Sequence, residues 1–328
     1  MEKKSILITG AFGFIGSHLA EICVKKGFSV IAYDRYNIYN DYGWLEKSKY
    51  RTEMEIILGD VRDYDSVSKV VKRCGAVFHL AALIGIPYSY ISPLAYIRTN
   101  IEGTYNVLES AKNFDLEQVI VTSTSETYGT AQYVPIDENH PLVGQSPYSA
   151  SKIASDQLSV SYFRSFETPV KIVRPFNTYG PRQSARAVIP TIISQILENK
   201  NSIKLGSISP TRDLTFVTDT CQAFIDVYNT DRFVGETVNV GNEKEISIGD
   251  LAKLIAELMD KNITIESSEE RIRPKDSEVL RLVCNNKKLT EHTNWKPSID
   301  LRVGLGEVIK WMKDPINMSH YKSNIYNV

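Results

Sequence analysis

Tyr148 and Lys152 are four residues apart, and this spacing places two side chains on the same face of a helix. A lysine ammonium beside a phenol stabilises the phenolate, so the pair can accept a proton that a free tyrosine, with a pKa of about 10, accepts poorly at neutral pH. Of the 18 tyrosines in the chain, only Tyr148 has lysine at the fourth following position, although one such pair could also arise by chance.

A short polar run, Thr124-Ser125-Glu126, precedes this pair. The two hydroxyls can hydrogen-bond a substrate oxygen, and the glutamate carboxylate is a second proton acceptor. Such a carboxylate can remove a proton from carbon once a neighbouring ketone has made that proton acidic. We therefore expect redox chemistry on an alcohol with an additional general base. The predicted catalytic residues are Thr124, Ser125, Glu126, Tyr148 and Lys152.

A glycine-rich turn, Gly10-Ala-Phe-Gly13-Phe-Ile-Gly16, ends the first predicted strand and leads directly into a helix. Glycines here permit a tight turn and let backbone N–H groups and the helix N-terminus approach a pyrophosphate. The second strand ends at Asp34, whose carboxylate can accept hydrogen bonds from ribose hydroxyls. A 2′-phosphate would be repelled by Asp34, so we favour NAD over NADP even though Arg35 follows. Asp60-Val61 closes the third strand and can contact adenine.

The composition is that of an ordinary globular protein, with a formal net charge of −1 spread over 328 residues. This balance gives no electrostatic case for nucleic acid or an anionic membrane as a partner. The four cysteines are widely separated and the five histidines lack metal-ligand spacing, so we expect neither a disulfide framework nor a metal site. His79 lies in an apolar strand and is assigned to the core. No signal peptide or membrane span is recognised, and a cytoplasmic location is expected.

Short apolar runs alternate with helical segments in the first half of the chain, which predicts an α/β fold with a doubly wound parallel sheet. The predicted strands are 5–9, 29–34, 55–58, 76–81, 118–123, 170–174 and 237–240. The predicted helices are 15–26, 64–73, 94–113, 147–166, 189–198 and 248–259. We expect a Rossmann domain, a smaller α/β substrate domain and a loosely ordered tail. Their predicted ranges are 1–177 with about 213–243, 178–212 with about 244–316, and 317–328.

Taken together, the motifs resemble those of the extended short-chain dehydrogenase/reductases that act on nucleotide sugars. The motifs are the glycine turn, Asp60-Val61, His79-Leu-Ala-Ala82, Asn100, Ser123-Thr124, Tyr148-x-x-x-Lys152 and Arg174-Pro-Phe-Asn177. By this resemblance, Thr124 binds the sugar O4 hydroxyl, Tyr148 removes its proton, and Lys152 holds the nicotinamide ribose and lowers the tyrosine pKa. The implied contacts to a tightly bound NAD are Gly10, Phe12, Gly13, Phe14, Ile15, Gly16, Asp34, Asp60, Val61, Leu80, Ala81, Ala82, Asn100, Ser123, Tyr148, Lys152, Pro175 and Asn177.

The resemblance also assigns residues to the nucleotide-sugar substrate. It implies that Asn177 and Arg182 contact the substrate and its diphosphate, and that Ala187 and Val188 line the nucleotide. The remaining implied contacts, to diphosphate and ribose, are Arg212, Glu278 and Arg281, beside the catalytic Thr124 and Glu126.

Two predicted helices, 94–113 and 147–166, carry apolar residues on more than one face. This pattern fits packing on both sides within a single subunit. The resemblance instead implies a homodimer joined by a four-helix bundle, which we favour.

Enzymes of this kind transfer a hydride from sugar C4 to NAD and so form a 4-keto sugar. Simple 4-epimerases need no carboxylate at the position of Glu126. With the ketone in place, Glu126 can remove the C5 proton, the C6 hydroxyl leaves, and the hydride returns to C6, which amounts to 4,6-dehydration. Ser125 stands where dTDP-glucose dehydratases carry an acidic aspartate, and a serine hydroxyl is a poor proton donor. Our hypothesis is that Glu126 also protonates the leaving oxygen.

Thr-Ser-Glu also occurs in GDP-mannose 4,6-dehydratases and UDP-glucuronate decarboxylases, so the triplet alone leaves both reactions open. The wider sequence, including 179–190, is most similar to bacterial NAD-dependent dehydratases of the legionaminic acid pathway. This resemblance favours a lyase that dehydrates nucleotide-activated N-acetylglucosamine, with GDP as the favoured nucleotide over UDP or dTDP. A UDP-glucuronate decarboxylase and a 4-epimerase are the alternatives. An NAD-sensing scaffold is disfavoured because the catalytic residue types are intact.

Overall fold

The computed structural model describes residues 5–198, 201–323, 325 and 326. The predicted domains and tail also include residues 1–4, 199–200, 324 and 327–328, which lie outside the described residues. Its strands are β1 (Ser5–Thr9), β2 (Val30–Asp34), β3 (Met54–Leu58), β4 (Cys74–His79), β5 (Gln118–Thr122), β6 (Val170–Pro175), β7 (Asn177–Tyr179), β8 (Ser202–Leu205), β9 (Thr211–Phe216), β10 (Thr237–Val240), β11 (Glu245–Ser247), β12 (Thr264–Ser267) and β13 (Arg281–Leu282). Its α-helices are α1 (Phe14–Lys25), α2 (Tyr64–Val71), α3 (Ile86–Ile91), α4 (Pro93–Tyr96), α5 (Gly103–Asn113), α6 (Pro147–Phe166), α7 (Val188–Leu197), α8 (Val217–Tyr228), α9 (Ile248–Leu258), α10 (Lys287–His292), α11 (Leu301–Met312) and α12 (Pro315–Met318).

Seven strands form one parallel sheet in the order β10-β6-β5-β4-β1-β2-β3. The winding direction reverses beside β1, because β2 lies on one side of it and β4 on the other. In open α/β sheets, a crevice opens at such a reversal, outside the carboxyl ends of the strands. The predicted α/β fold with a doubly wound parallel sheet is confirmed, and β10 pairs with β6 as expected.

Helices cover both faces of this sheet, which explains why its strands are almost continuously apolar. Ile6 and Ile8 of β1 pack with residues of α1 and α8 on one face, and Leu7 packs with residues of α2 and α5 on the other. His79 is 2% exposed at the end of β4, and burial lowers its pKa to about 3, with the nearby Lys152 charge adding to the effect. The expected core position of this histidine is confirmed.

α6 begins with a capping box. The Ser146 hydroxyl accepts from the Ser149 backbone N–H, the Ser149 hydroxyl accepts from the Ser146 N–H, and Pro147 occupies the first turn. This cap fixes the first turns of α6 at the carboxyl edge of the sheet. The predicted helix 94–113 is divided, because a π-helical turn at Ile97–Glu102 connects α4 and α5. Such turns are rare and often occur beside functional sites.

We call the predicted substrate domain, 178–212 with about 244–316, the substrate lobe. This part of the chain and its borders contain short strands that the sequence did not predict. β9 pairs with β11 in antiparallel fashion and with β7 and β13 in parallel, while β8 pairs with β12. Helices α8 and α11 were also not predicted. In the described part of the expected tail, α12 ends at Met318 and Tyr321 is 7% exposed. Within the described part of the chain, no helix combines the length and apolarity needed to cross a membrane.

Candidate active site

A cleft of about 600 Å³ opens at the carboxyl ends of the sheet strands, between the sheet and the substrate lobe. This is the size range of sites for metabolites and cofactors. Most of the predicted cofactor and catalytic residues line it. They are Gly10, Gly13, Phe14, Ile15, Gly16, Asp34, Asp60, Val61, Leu80, Ala81, Ala82, Ser123, Thr124, Glu126, Tyr148, Lys152, Pro175 and Asn177, with Ala187 on the substrate side.

The glycine turn between β1 and α1 has no room for side chains. Gly10 has φ +72°, and a Cβ atom there would lie 2.8 Å from the Ala81 nitrogen. A Cβ atom at Gly16 would lie 2.1 Å from the Gly10 carbonyl oxygen. The backbone and the N-terminus of α1 can therefore approach a bound diphosphate closely, as a dinucleotide requires.

Asp34 at the end of β2 is fixed by two backbone donors. Its carboxylate oxygens accept from the N–H groups of Phe12 (2.9 Å) and Arg35 (2.7 Å). Burial raises the Asp34 pKa, and these hydrogen bonds oppose that effect. Phe12 itself is buried and is not among the residues that line the cleft, and its N–H contributes by holding Asp34.

Asp60, beyond β3, forms an ion pair with Arg62 at 2.5 Å. This partner holds the Asp60 pKa below its usual value. Both residues line the adenosine end of the cleft beside Asp34, so a carboxylate and a guanidinium are both available there.

Tyr148 is 7% exposed and lines the cleft together with Thr124. Burial raises the Tyr148 pKa, the Thr124 side chain lowers it, and the Glu126 charge raises it further. The pKa is thus higher than that of a free tyrosine, contrary to the lowering expected from Lys152. Burial of the phenol is the main cause, and the buried Lys152 ammonium donates to the Thr122 carbonyl oxygen at 2.6 Å.

Thr124 caps the short turn that follows β5, accepting from the Glu126 backbone N–H at 3.3 Å. This turn directs Thr124 and the half-buried Glu126 to the cleft. Ser125 is 2% exposed and does not line the cleft. The other four predicted catalytic residues line the cleft, and Ser125 does not.

Asn100 is also buried, 1% exposed, and lies outside the cleft. Its side-chain oxygen accepts from the Leu83 N–H at 2.8 Å, and its amide donates to the Leu83 carbonyl (3.0 Å) and the Ser151 hydroxyl (2.9 Å). Asn100 therefore holds the loop after β4, which lines the cleft, and its predicted cofactor contact stays a prediction.

A buried ion pair supports the catalytic turn. Arg174 of β6 donates to Asp156 of α6 at 2.7 Å, and the Ser123 hydroxyl donates to the same carboxylate at 2.6 Å. The sequence reasoning missed Asp156, although it lies four residues after Lys152 and thus on the same face of α6. This pair joins the end of β5 to the helix that carries the tyrosine and lysine.

Two of the arginines assigned to substrate lie elsewhere. Arg182 is paired with Glu21 of α1 at 3.0 Å, and Arg281 is exposed and paired with Glu245 at 2.5 Å. Neither lines the cleft, and neither does Val188, which begins α7. The expected contacts of these three residues with substrate are not supported by the structure.

Arg212 and Glu278 form a buried cluster that extends to the cleft through Arg273. The Glu278 carboxylate lies 3.4 Å from Arg212 and 3.6 Å from Arg273, and Arg273 lines the cleft. The Glu126 charge also acts on Arg212, whose pKa is lowered mainly by burial. Arg273 was missed, although it opens the Arg-Pro-Lys-Asp-Ser-Glu stretch from which Glu278 was selected.

Other cleft residues on the substrate side were also missed, namely Gln183, Ser184 and Arg186. The Arg186 guanidinium lies beside Gly85 and has no ion-pair partner within residues 5–198, 201–323 and 325–326. Buried oxygens of Asn177 and Gln183 have no hydrogen-bond partner in the described part of the chain. These amide oxygens can accept from ligand hydroxyl groups, and the Arg186 guanidinium can donate to phosphate or carboxylate oxygens. Among the described residues, no group of His, Cys, Asp and Glu could hold a metal ion.

Comparison with known proteins gives related enzymes with different chemistries. The UDP-N-acetyl-alpha-D-glucosaminuronate decarboxylase of Bacillus cytotoxicus is 34% identical over 326 residues, 95% of this chain and 98% of that protein. The dTDP-glucose 4,6-dehydratase structure from Bacillus anthracis, in complex with NAD, has a TM-score of 0.84 and 25% identity, and covers 97% of this chain and 98% of that one. The UDP-N-acetylglucosamine 4-epimerase structure from Methanobrevibacter ruminantium, in complex with UDP-N-acetylmuramic acid, has a TM-score of 0.85 and 29% identity, and covers 95% and 99%.

The sequence profile of the GDP-mannose 4,6-dehydratase family matches residues 7–308, which include the glycine turn, the catalytic turn and the Arg212 cluster. This match covers both the dinucleotide fold and the substrate lobe. The chain therefore belongs to the GDP-mannose 4,6-dehydratase family of extended short-chain dehydrogenase/reductases.

Proposed function

We propose that this protein is an NAD-dependent 4,6-dehydratase that acts on a nucleotide-activated N-acetylglucosamine, with GDP as the favoured nucleotide. The observation that carries the proposal is the presence of Glu126 in the cleft beside Thr124 and Tyr148. A carboxylate beside an oxidising site is what C5 deprotonation requires and what reversible oxidation alone does not.

NAD is the cofactor of this cleft. The glycine turn and the N-terminus of α1 would hold its diphosphate, and Asp34 would accept from its adenosine ribose. The carboxylate of Asp34 disfavours a 2′-phosphate at the same place. When bound, NAD supplies a hydride acceptor for C4 and a hydride donor for C6, and its nicotinamide charge favours the Tyr148 phenolate.

In the first step, Tyr148 takes the proton of the sugar O4 hydroxyl while Thr124 holds that oxygen. Both side chains line the cleft, where they can reach the same substrate atom. Lys152, fixed on the Thr122 carbonyl, keeps a cation within the same pocket. These residues thereby promote oxidation of C4 to a ketone.

In the second step, the Glu126 carboxylate removes the C5 proton, which the C4 ketone has made acidic. Expulsion of the C6 hydroxyl needs a proton, and buried Ser125 does not face the cleft to give it. We propose that Glu126 passes the C5 proton to the leaving oxygen. The same carboxylate then acts as base and acid in sequence. When the hydride returns to C6, C5 takes up a proton that balances the O4 proton removed by Tyr148, so the net change is the loss of one water.

The diphosphate of the substrate would bind Arg273 and the Arg212 cluster. Guanidinium groups recognise phosphate oxygens through charge-assisted hydrogen bonds. Glu278 lies between the two arginines and keeps both in place. The GDP assignment and the N-acetylglucosamine assignment rest on the resemblance to dehydratases of the legionaminic acid pathway.

Decarboxylation of a nucleotide-activated uronate is the second candidate. Arg186 favours it, because an exposed guanidinium without an ion-pair partner among the described residues can bind a C6 carboxylate. Glu126 does not separate the two candidates, because the Thr-Ser-Glu triplet occurs in such decarboxylases as well, and dehydration is favoured by the wider resemblance of the sequence. The relative from Bacillus cytotoxicus makes this candidate worth testing directly.

We also propose a homodimer. Leu94 and Ile97, in the segment 94–113 expected to join a four-helix bundle, are at least half exposed, and so is Ile91 at the end of the preceding helix α3. A molar mass of two chains in light scattering supports this assembly, and a single-chain mass contradicts it.

A nucleotide sugar deuterated at C4 tests the reaction. Dehydration transfers the label to the new C6 methyl group, which is detected by NMR of the product. Epimerisation and decarboxylation return the hydride to C4, so a label retained at C4 contradicts the proposal.

A further inference from the structure

Tyr321 lies close to the end of the chain, yet its side chain is 7% exposed. Its hydroxyl donates to the Gln183 carbonyl oxygen at 2.7 Å, and its ring meets Trp311 of α11 edge-on, with centroids 6.2 Å apart. A tyrosine with an apolar ring in the core and a hydroxyl on a backbone carbonyl fixes the position of that carbonyl.

Gln183 belongs to the segment 180–187, which we call the substrate loop. Four of its residues line the cleft, namely Gln183, Ser184, Arg186 and Ala187. The first part of the loop is attached to α1, because Arg182 binds Glu21 and the Ser17 hydroxyl. The next residue, Gln183, is held through its carbonyl oxygen by the hydrogen bond from Tyr321.

The same terminal segment contacts a second part of the substrate site. The Arg271 guanidinium lies 5.0 Å from the centre of the Tyr326 ring and donates to the Ile325 carbonyl oxygen at 3.5 Å. Arg273, two residues further on, lines the cleft and acts electrostatically on Tyr326. Tyr321 therefore contacts the substrate loop, while Ile325 and Tyr326 contact Arg271, close to the Arg212 cluster.

We propose that Tyr321 is a positioning residue for the nucleotide-sugar substrate, and that residues 321, 325 and 326 hold the substrate loop and the Arg271–Arg273 segment in their binding positions. The proposal rests on the proposed function in taking the substrate to be a nucleotide sugar. Tyr321 touches neither substrate nor cofactor, and it acts through the Gln183 carbonyl.

The test compares Tyr321→Phe with Tyr162→Phe in the full chain. Tyr162 is a matched control, since it is buried and its hydroxyl donates to Glu109 at 2.7 Å, but it does not line the cleft or contact the loop. Hydrogen exchange of the backbone amides of 181–187 is the first readout, and the steady-state constants are the second.

We expect Tyr321→Phe to exchange faster in the substrate loop and to raise KM about three- to tenfold, as the loss of one neutral hydrogen bond implies, while kcat stays within about twofold. Tyr162→Phe should leave loop exchange and KM unchanged. Tyr326→Leu, which leaves the core untouched, should raise KM and speed up exchange in 269–278.

Unchanged loop exchange and unchanged KM in both Tyr321→Phe and Tyr326→Leu would overturn the proposal. A fall in kcat with constant KM would overturn it as well, since positioning of the substrate loop acts on binding. If the wild-type protein turned over no nucleotide sugar, the proposed function would fail. The exchange readout would still decide whether Tyr321 holds the loop.

Discussion

Lys152 donates its ammonium hydrogen bond to the backbone carbonyl oxygen of Thr122, at the end of the strand that leads into the catalytic turn. The lysine is thereby fixed to β5, while Tyr148, one helical turn earlier, lines the cleft together with Thr124. The contact thus connects α6 to the turn that carries Glu126. The predictions below follow from this arrangement and from the contacts around it.

Glu126→Gln should lower product formation by about a hundredfold to ten-thousandfold, which is the usual range for loss of a general base. Oxidation at C4 should persist, because Thr124, Tyr148 and Lys152 are unchanged. The measurements are product yield and the absorbance of reduced nicotinamide after substrate is added. Ser125→Ala is the control, and we expect it to retain activity within a few-fold because Ser125 is buried outside the cleft. An inactive, folded Ser125→Ala enzyme would contradict this account.

Arg273→Ala should raise the Kd for the nucleotide diphosphate by about ten- to a hundredfold, the cost of one charged hydrogen bond or slightly more. Arg281→Ala is the matched control, because that arginine is exposed, paired with Glu245 and outside the cleft. Calorimetric titration with GDP and with UDP measures both variants. Equal losses of affinity would show that the cleft arginine has no special part in binding.

Asp34→Ser should weaken NAD binding about tenfold or more, because a charged acceptor for the ribose hydroxyls is removed. NADP should bind the wild-type protein poorly, since its 2′-phosphate would face the Asp34 carboxylate. Fluorescence titration of protein freed of nucleotide measures both effects. Equal wild-type affinities for NAD and NADP would be inconsistent with the assigned role of Asp34.

Asp213 gives a prediction for stability. This fully buried carboxylate accepts from the backbone N–H groups of Asn242 (2.8 Å), Glu243 (2.9 Å) and Cys284 (3.0 Å). Asparagine offers a single acceptor oxygen, so Asp213→Asn should lower the free energy of unfolding by about 1–3 kcal/mol at neutral pH.

The pH dependence of that difference has a definite sign. Burial raises the Asp213 pKa from 3.8 to about 6, so the folded chain binds this proton more tightly than the unfolded chain does. The resulting contribution to stability is complete below 3.8 and is lost as the pH rises through about 6. In urea denaturation, the difference in free energy of unfolding between the wild type and Asp213→Asn should therefore grow as the pH falls from 7 to 4. A difference that stays constant or shrinks would contradict the assignment.

The sequence predicted the parts of the site in which spacing alone determines position. Tyr148 and Lys152 share a helix face, and Thr124 and Glu126 follow the end of a strand, so neighbouring residues suffice to bring them to the cleft. The glycine turn and Asp34 are positioned by the first two strands of a parallel sheet in the same way.

The positions of isolated arginines depended on partners that are distant in the sequence. Arg182 binds Glu21, 161 residues away, and Arg281 binds Glu245, 36 residues away. Motif position could not indicate which cation would be neutralised by the fold and which would stay available in the cleft. For the same reason, the sequence reasoning missed the Asp156–Arg174 pair and the attachment of Tyr321 to the substrate loop.

The most direct test of the central claim is mass spectrometry of the products formed with GDP-N-acetylglucosamine, UDP-N-acetylglucosamine and UDP-glucuronate. We predict that an N-acetylglucosamine nucleotide, with GDP preferred, loses the mass of one water. Loss of carbon dioxide from UDP-glucuronate, or conversion of every substrate without a change in mass, would contradict the assignment of Glu126 as the base of a 4,6-dehydratase.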